Sequence, residues 1–255
     1  MSEAAGLPTL TVEGHRATIR LNRPAVHNRI EPDDITEMMR LFDAVDADAN
    51  LRVLVMAAAG RSFSSGFFIQ QIGVDRDAAT PGFDLMTERM ERVRVPTIAA
   101  LNGGVYGGAT DLALGCDFRI GVAGMALRMP AAALGLHYYP GGMQRYVSRL
   151  GLDTAKRLFL LAERIEADEL LRIGFLTELV APEALAATVD AKAATLAAHA
   201  PLAVQGMKKA LNDIARGDAD LAEITARAGA VGRSADLQEG RQAWMEKRAP
   251  NFTGA

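Results

Sequence analysis

The sequence predicts an α/β protein with a mainly parallel sheet. Two strand-like apolar runs, residues 51–57 and Thr97–Leu101, each lead into a glycine-containing loop. After the second loop come a helix-like segment and a further strand-like run, Phe118–Val122. Apolar β-branched runs are typical of strands buried on both faces, and their alternation with helical patterns indicates parallel neighbours.

The N-terminal elements are a predicted hairpin and a helix. Residues 9–13 and 17–21 alternate apolar and polar side chains around Gly14, which predicts two paired strands. Further helices are expected over residues 83–93 and 107–116. After Pro32 the apolar positions follow helical spacing, at Ile35, Met38, Met39, Phe42 and Val45.

The second half of the chain is mostly helical by pattern. Helices are expected at residues 155–162 and 167–172, with a short strand at Leu179 and Val180. Residues 183–248 are rich in alanine, and several apolar faces there are wide. This width indicates either burial against a neighbouring subunit or a well-packed layer within one chain. The positions are Leu185, Val189, Leu196, Leu202, Val204 and Met207.

Composition restricts the class of protein. The chain has 255 residues, 49% of them hydrophobic, so it can bury a full core. A net charge of −3 and interspersed basic residues argue against a nucleic-acid partner. Cys116 is the single cysteine and lies in an apolar run, so a buried thiol is expected. Without a signal-like start or a membrane-spanning apolar run, the sequence predicts a cytoplasmic protein.

Two glycine-containing loops are the most informative segments for function. They are Phe63-Ser-Ser-Gly-Phe67 and residues 102–111, and each follows a predicted strand. Glycine lets backbone N–H groups approach a ligand closely. If the loops converge, one N–H from each would form an oxyanion hole, which stabilises negative charge on a carbonyl oxygen. The pattern therefore indicates chemistry on a thioester or a ketone.

Five short segments occur in a characteristic order along the chain. They are Leu21-Asn-Arg-Pro24 followed by Asn28, Gly60-Arg-Ser-Phe-Ser-Ser-Gly66, Asn102-Gly103 with Gly107-Gly108, Pro140-Gly-Gly-Met-Gln-Arg145 with Leu150-Gly151, and Glu246-Lys-Arg-Ala-Pro-Asn-Phe252. Each alone is weak, because a glycine-rich turn is usually only a turn. Together they resemble the crotonase family, the enoyl-CoA hydratase/isomerase superfamily, over essentially the whole chain.

This resemblance implies a crotonase-like spiral of ββα turns, expected over residues 1–195, and a helical C-terminal trimerisation region over residues 196–255. Family members form trimers, often paired as hexamers, which would bury the wide apolar helix faces. They act on acyl-CoA, as in fatty acid metabolism, without a metal or redox cofactor. Coenzyme A is therefore expected only as part of the substrate, with no nucleic-acid or membrane partner.

The resemblance also assigns binding residues by position. It makes the backbone N–H groups of Phe67 and Gly108 the oxyanion hole, and it places the Phe67 ring in the acyl pocket. Ala25 stands where a lysine often contacts CoA phosphates, which leaves Arg23 or Arg29 for that role. Further substrate or CoA contacts implied by the resemblance are Ser65, Phe68, Ile69, Tyr139, Lys247 and Phe252.

The catalytic carboxylates match the family only in part. Hydratases of the family use two, and the first is present as Asp111, in place of the usual glutamate. At the second position the sequence reads Pro130-Ala131, so that carboxylate is missing. Water addition needs groups that orient the water and move the α-proton, and alanine can do neither. His137 and Tyr138, on the loop expected to line the acyl pocket, become candidate catalytic groups.

Three functions therefore remain open. The first is an acyl-CoA enzyme, expected to be a lyase, that forms an enolate with Asp111 as acid–base; hydration, decarboxylation, isomerisation and C–C cleavage are unresolved. The second is a CoA-independent β-diketone or C–C hydrolase, supported by His137, His27 and Ala25. The third is a non-catalytic member that binds acyl-CoA or a protein partner, supported by Ala131.

Overall fold

The computed structural model describes residues 6–71 and 81–255. Within them the chain forms ten strands and ten α-helices, nine of which have eight or more residues. The strands are β1 (Gly6–Glu13), β2 (Arg16–Asn22), β3 (Val53–Ala58), β4 (Ser62–Ser64), β5 (Thr97–Leu101), β6 (Gly104–Tyr106), β7 (Phe118–Val122), β8 (Ala126–Arg128), β9 (Arg164–Glu166) and β10 (Glu178–Val180). The helices are α1 (Pro32–Ala47), α2 (Phe83–Glu91), α3 (Gly108–Gly115), α4 (Pro140–Leu150), α5 (Leu152–Leu161), α6 (Ala167–Arg172), α7 (Leu185–Ala198), α8 (Pro201–Arg216), α9 (Leu221–Val231) and α10 (Ala235–Glu246).

The main sheet has six strands in the order β1-β2-β3-β5-β7-β10. Only β1 and β2 pair antiparallel, as the predicted hairpin, and every other neighbouring pair is parallel. All of β5 and nearly all of β3 are buried, which explains why these strands lack polar alternation. The parallel sheet expected from the sequence is confirmed.

A second, four-stranded sheet has the order β4-β6-β8-β9. Its strands β4 and β6 lie in segments that the sequence analysis treated as loops. Each strand is three residues long, which is too short for a period of two to be recognised. In three successive turns, β3–β4–α2, β5–β6–α3 and β7–β8–α4, the chain supplies one strand to each sheet and then a helix, which agrees with the expected spiral of ββα turns.

Helices pack against both sheets, and four helices, α7 to α10, make up the C-terminal part of the chain. Helix α7 packs against β3, β5 and β7, while α8 packs against α4 and α9. The predicted boundary at residue 195 falls inside α7, so the division into two regions stays a prediction. No helix in the described part of the chain is both long and apolar enough to cross a membrane.

The C-terminal helices expose large apolar side chains. Helix α9 buries none of its residues, and Trp244 on α10 is 86% exposed. Single exposed apolar residues are ordinary, but contiguous ones mark interaction surfaces. The other exposed apolar side chains of α8, α9 and α10 are Leu202, Met207, Leu211, Ile214, Leu221, Leu237 and Met245.

Candidate active site

The two glycine loops meet in the folded chain, as the sequence analysis expected. Gly66 has a φ of +90°, and a Cβ at this position would lie 2.5 Å from the Tyr106 carbonyl oxygen. The same Cβ would lie 3.0 Å from the backbone nitrogen of Gly108. Only glycine therefore allows this close contact between the loops.

Backbone pairing orients the first candidate N–H group. The Ile30 N–H donates to the Gly66 carbonyl at 2.9 Å, and the Phe68 N–H donates to the Ile30 carbonyl at 2.9 Å. In a parallel bridge this pattern turns the peptide N–H of the intervening residue, Phe67, away from the partner strand. Gly108 supplies the second group as the first residue of α3, where N–H groups have no partner within the helix.

A cavity of about 380 Å³ lies at the junction of the two loops. Apolar side chains form much of its wall, including Phe83, Met129 and Leu136. The Phe67 and Phe83 rings pack at a centroid distance of 5.6 Å, so Phe67 lines the pocket as expected. The other sequence-predicted residues that line this cavity are Ser65, Ile69, Gly108, Ala131, His137, Tyr138 and Tyr139.

Asp111 is fully buried and is not among the residues that line the cavity. Its Oδ1 accepts a hydrogen bond from Arg145 Nη1 at 2.6 Å. Its Oδ2 accepts a hydrogen bond from the hydroxyl of Tyr139, which does line the cavity. The Tyr139 phenol therefore lies between the Asp111 carboxylate and the cavity. The assignment of Asp111 as an acid–base group stays a prediction.

Arg145 continues this buried network away from the cavity. Its Nη2 lies 3.3 Å from Glu91, which also accepts a hydrogen bond from Arg149 at 2.9 Å. Burial disfavours the charged form of Arg145, but the neighbouring carboxylates of Asp111 and Glu91 outweigh this effect and raise its pKa. Arg145 is thus a permanent cation that holds Asp111 from behind.

The two tyrosines form a stacked pair beside the cavity. Their ring centroids are 4.3 Å apart, and the Tyr138 hydroxyl donates to the Tyr139 hydroxyl at 3.2 Å. Thr87 Oγ1 lies 2.9 Å from the same Tyr139 oxygen. Burial, followed by the negative charge of Asp111, raises the pKa of both phenols. Both side chains are therefore neutral phenols at physiological pH.

Comparison with known proteins decides the family. The enoyl-CoA hydratase/isomerase family model matches residues 13–255. The chain belongs to the enoyl-CoA hydratase/isomerase family. It is 34% identical over 254 residues to a crotonyl-CoA hydratase from Syntrophomonas wolfei, covering 95% of this chain and 96% of that protein. It is 31% identical to a short-chain-enoyl-CoA hydratase from Clostridium acetobutylicum, covering 94% of both chains.

Solved structures agree with this family assignment. An enoyl-CoA hydratase from Bacillus anthracis superposes with a TM-score of 0.88 at 27% identity, covering 98% of this chain and 100% of that one. The crotonase-like fold expected from the five sequence segments is therefore confirmed. Ala131, at the position that the resemblance assigns to the second family carboxylate, lies in the cavity wall.

The histidines occupy different environments within this family fold. His137 is exposed at the cavity, and its Nδ1 lies 2.9 Å from the Tyr138 carbonyl oxygen. His27 is not among the cavity residues, and its Nδ1 lies 2.9 Å from Ser62 Oγ. Its Nε2 lies 3.1 Å from an Arg61 guanidinium nitrogen. The structure therefore brings one of the two candidate histidines to the site.

Several residues expected to contact CoA lie outside the cavity. Phe68 packs under the Arg29 guanidinium, which is 3.9 Å from the ring centroid. Both candidate phosphate-binding cations pair with carboxylates of their own region, Arg29 with Glu31 and Arg23 with Asp34.

The C-terminal tail also lies elsewhere in this protomer. Phe252 lines a separate small cavity against α8 and α10, and a Cβ at Gly240 would lie 3.4 Å from its ring. Lys247 is exposed at the end of α10. Contacts of Phe68, Lys247 and Phe252 with CoA stay predictions.

Three polar residues of the site were not predicted from the sequence. Asp84 lines the cavity from the first turn of α2, while Thr87 and Arg145 hold Tyr139 and Asp111. Arg145 was recognised only as part of the Pro140–Arg145 segment. Nothing in the sequence pattern links helix α2 to the glycine loops, because that contact depends on how the spiral closes.

Proposed function

We propose that this chain is an acyl-CoA enzyme that stabilises the enolate of its thioester substrate. The observation that carries the proposal is the convergence of Phe67 and Gly108 on one largely apolar cavity. The thioester carbonyl oxygen would accept a hydrogen bond from the backbone N–H of each residue. Because charge develops on that oxygen as the enolate forms, these bonds strengthen in the transition state.

The position of Gly108 adds a second electrostatic contribution. It is the first residue of α3, and the N-terminus of a helix favours a nearby negative charge. The cavity wall is mainly apolar, so water would be excluded around the bound carbonyl and hydrogen bonds to it would be strengthened. Removal of one such donor typically lowers the rate by about 10²–10³-fold.

We further propose that Tyr139 gives a proton to the α-carbon of the enolate and that Asp111 positions it. The raised pKa of Tyr139 keeps the phenol protonated. An α-carbon of a thioester is a far weaker acid than a phenol, so the enolate can take this proton. Arg145, held against Asp111 at 2.6 Å, would offset the charge left on the phenolate.

The relatives support a lyase as the reaction class. Both relatives at 31% and 34% identity are described as hydratases of enoyl-CoA or crotonyl-CoA. Coenzyme A would enter as part of the substrate, and the proposed chemistry uses no separate cofactor. A homo-oligomer is the proposed working form, since the exposed apolar side chains of α8, α9 and α10 need a covering surface.

The test is turnover of two acyl-CoA substrates by tyrosine variants. Crotonyl-CoA and methylmalonyl-CoA are incubated separately with the protein, and product mass is followed. We expect Tyr139→Phe to lower kcat by about 10²–10⁴-fold, the range for loss of a general acid. Tyr138→Phe is the matched control, because its hydroxyl donates to Tyr139 and makes no bond to Asp111. If Tyr139→Phe is as active as the native chain, Tyr139 is not the proton donor. If the native protein neither turns over any acyl-CoA nor binds one in calorimetry, the proposed function is wrong.

A further inference from the structure

Asp84 is the only carboxylate among the described residues that line the candidate cavity. It is half-buried in the first turn of α2, and Asp111 is screened from the cavity by Tyr139. Among the described residues, no hydrogen-bond or ionic partner engages the Asp84 carboxylate. The site therefore has two carboxylates: Asp111, which lies behind the Tyr139 phenol, and Asp84, which lines the cavity.

Helix α2 places Asp84 close to the proposed reaction centre. The preceding residue, Phe83, contacts the oxyanion loop, since a Cβ on Gly108 would lie 2.7 Å from its ring. On the other side, Thr87 Oγ1 donates to the Asp84 carbonyl at 2.9 Å and lies 2.9 Å from the Tyr139 hydroxyl. One side chain thus links the Asp84 backbone to the proposed proton donor.

We propose that Asp84 is the second acid–base group of this site and activates water, which makes the reaction hydration of an α,β-unsaturated acyl-CoA. This inference rests on the proposed function. Ala131 supplies no carboxylate, although it lines the same cavity, and Asp84 reaches that cavity from a different element. A catalytic base must contact the proton it removes, and the cavity wall is the position from which Asp84 can do so.

The proposed step balances without an oxidant or a reductant. As the water oxygen bonds to the β-carbon, one water O–H bond breaks and its proton passes to the Asp84 carboxylate. The electron pair of the carbon–carbon double bond moves toward the carbonyl oxygen, where the Phe67 and Gly108 N–H groups hold the enolate. The enolate then takes the Tyr139 proton at its α-carbon, and the proton on Asp84 returns to the phenolate through solvent. The sum is addition of one water molecule.

The experiment compares two aspartate variants in the hydration of crotonyl-CoA. Asp84→Asn removes the base, and Asp153→Asn is the matched control, because Asp153 also occupies the second position of a helix but is exposed on α5. We expect Asp84→Asn to lower kcat by at least about 100-fold, while crotonyl-CoA affinity measured by calorimetry changes less than about threefold. Asp153→Asn should retain native kcat, and Asp84→Glu should retain more activity than Asp84→Asn. Circular dichroism of each variant excludes loss of fold as the cause.

Each other outcome separates this inference from the proposed function. If native protein and Asp84→Asn hydrate crotonyl-CoA equally, Asp84 is not the base, although the enolate site stands. If native protein decarboxylates methylmalonyl-CoA but does not hydrate crotonyl-CoA, the inferred reaction is wrong and the enolate chemistry survives. If native protein neither binds nor converts any acyl-CoA, both proposals fail.

Discussion

At the scale of single residues, two glycines of helix α3 differ in what an added methyl group would meet. A Cβ on Gly108 would lie 2.7 Å from the Phe83 ring, whereas a Cβ on Gly115 would lie at an ordinary 3.5 Å from Met90. Gly108 also carries one of the two proposed N–H donors, and Gly115 lies at the far end of the same helix.

We therefore expect Gly108→Ala to lower turnover of acyl-CoA by about 10²–10³-fold, because the displaced ring and backbone misplace the oxyanion donor. Gly115→Ala should keep turnover and change the stability by less than about 1 kcal/mol, since Gly115 is the last residue of the helix and its new methyl group would meet Met90 at an ordinary distance. Steady-state kinetics and urea unfolding measure the two effects. Equal kinetics of the two variants would contradict the assignment of Gly108.

Cys116 provides a second residue-scale prediction. It is fully buried, and burial raises the pKa of its thiol to about 12. Because the thiolate is the reactive form, we expect no labelling of the native protein by a thiol reagent at pH 8 and one label per chain after unfolding in urea. Mass spectrometry counts the labels. Rapid labelling of the native protein would show that this part of the core is open.

The sequence could indicate Asp111 as a candidate acid–base group, but it could not predict the side chains that contact its carboxylate. Asp111 was found because it stands three residues after Gly108, a local spacing that survives folding. Its contact with Tyr139 joins residues 28 positions apart, and its contact with Arg145 joins residues 34 apart. Such contacts depend on the packing of α3 against α4, which periodicity does not describe.

At the scale of elements, the helix pair α3 and α4 is held by a buried ion pair. The Arg145 side chain on α4 is 2% exposed, and the Asp111 side chain on α3 is fully buried. Glu91 at the end of α2 binds the same guanidinium group, so one cation joins three helices. Removal of one partner from a buried pair leaves an uncompensated charge.

We expect Arg145→Gln to destabilise the native state by about 3–5 kcal/mol, because the buried Asp111 carboxylate loses its cation while Glu91 keeps its ion pair with Arg149. Arg157→Gln is the control, since Arg157 forms its two ion pairs at the surface. Urea unfolding followed by circular dichroism gives the midpoints. Similar midpoints for the two variants would show that Arg145 is not required to join these helices.

The bounds of several main-sheet strands and helices were predicted accurately from the sequence, whereas the strands of the second sheet were not predicted. Strands β5 and β7 have the expected bounds, and α1 begins at Pro32 as predicted, because long apolar patterns and proline mark these elements. Strands β4 and β6 escaped recognition because they are short and adjoin glycines. Their pairing comes from the spiral itself, which sets them side by side.

At the scale of the whole molecule, exposed apolar side chains of α10 indicate that several chains assemble. Trp244, the only tryptophan, is 86% exposed on α10 beside Met245, which is 75% exposed. These side chains need a neighbour, and the resemblance implies trimers or hexamers, so we expect the native protein to have three or six times the 27.2 kDa chain mass in light scattering. Trp244→Glu should yield smaller species, while Trp244→Phe keeps the assembly. A native protein that runs as a monomer would contradict this expectation.

Two of the predicted CoA contacts involve the C-terminal tail. The five ordered segments predicted the family and the spiral, because their residues and their order are read directly from the sequence. Lys247 and Phe252 lie away from the cavity of their own protomer, so a contact with CoA would depend on assembly.

The most direct test of the account is deuterium exchange at the α-carbon of butyryl-CoA in D₂O. Butyryl-CoA has neither a double bond nor a second carboxylate, so exchange reports enolate formation alone. In this step the Tyr139 oxygen would take the α-proton while the phenol proton passes to Asp111, which accepts its hydrogen bond. We predict that butyryl-CoA incorporates deuterium faster with the native protein than in buffer alone. Gly108→Ala should lower this exchange rate by about 100-fold, and Gly115→Ala should leave it unchanged. Bound butyryl-CoA that exchanges no faster than in buffer would contradict the claim that Phe67 and Gly108 hold a thioester enolate.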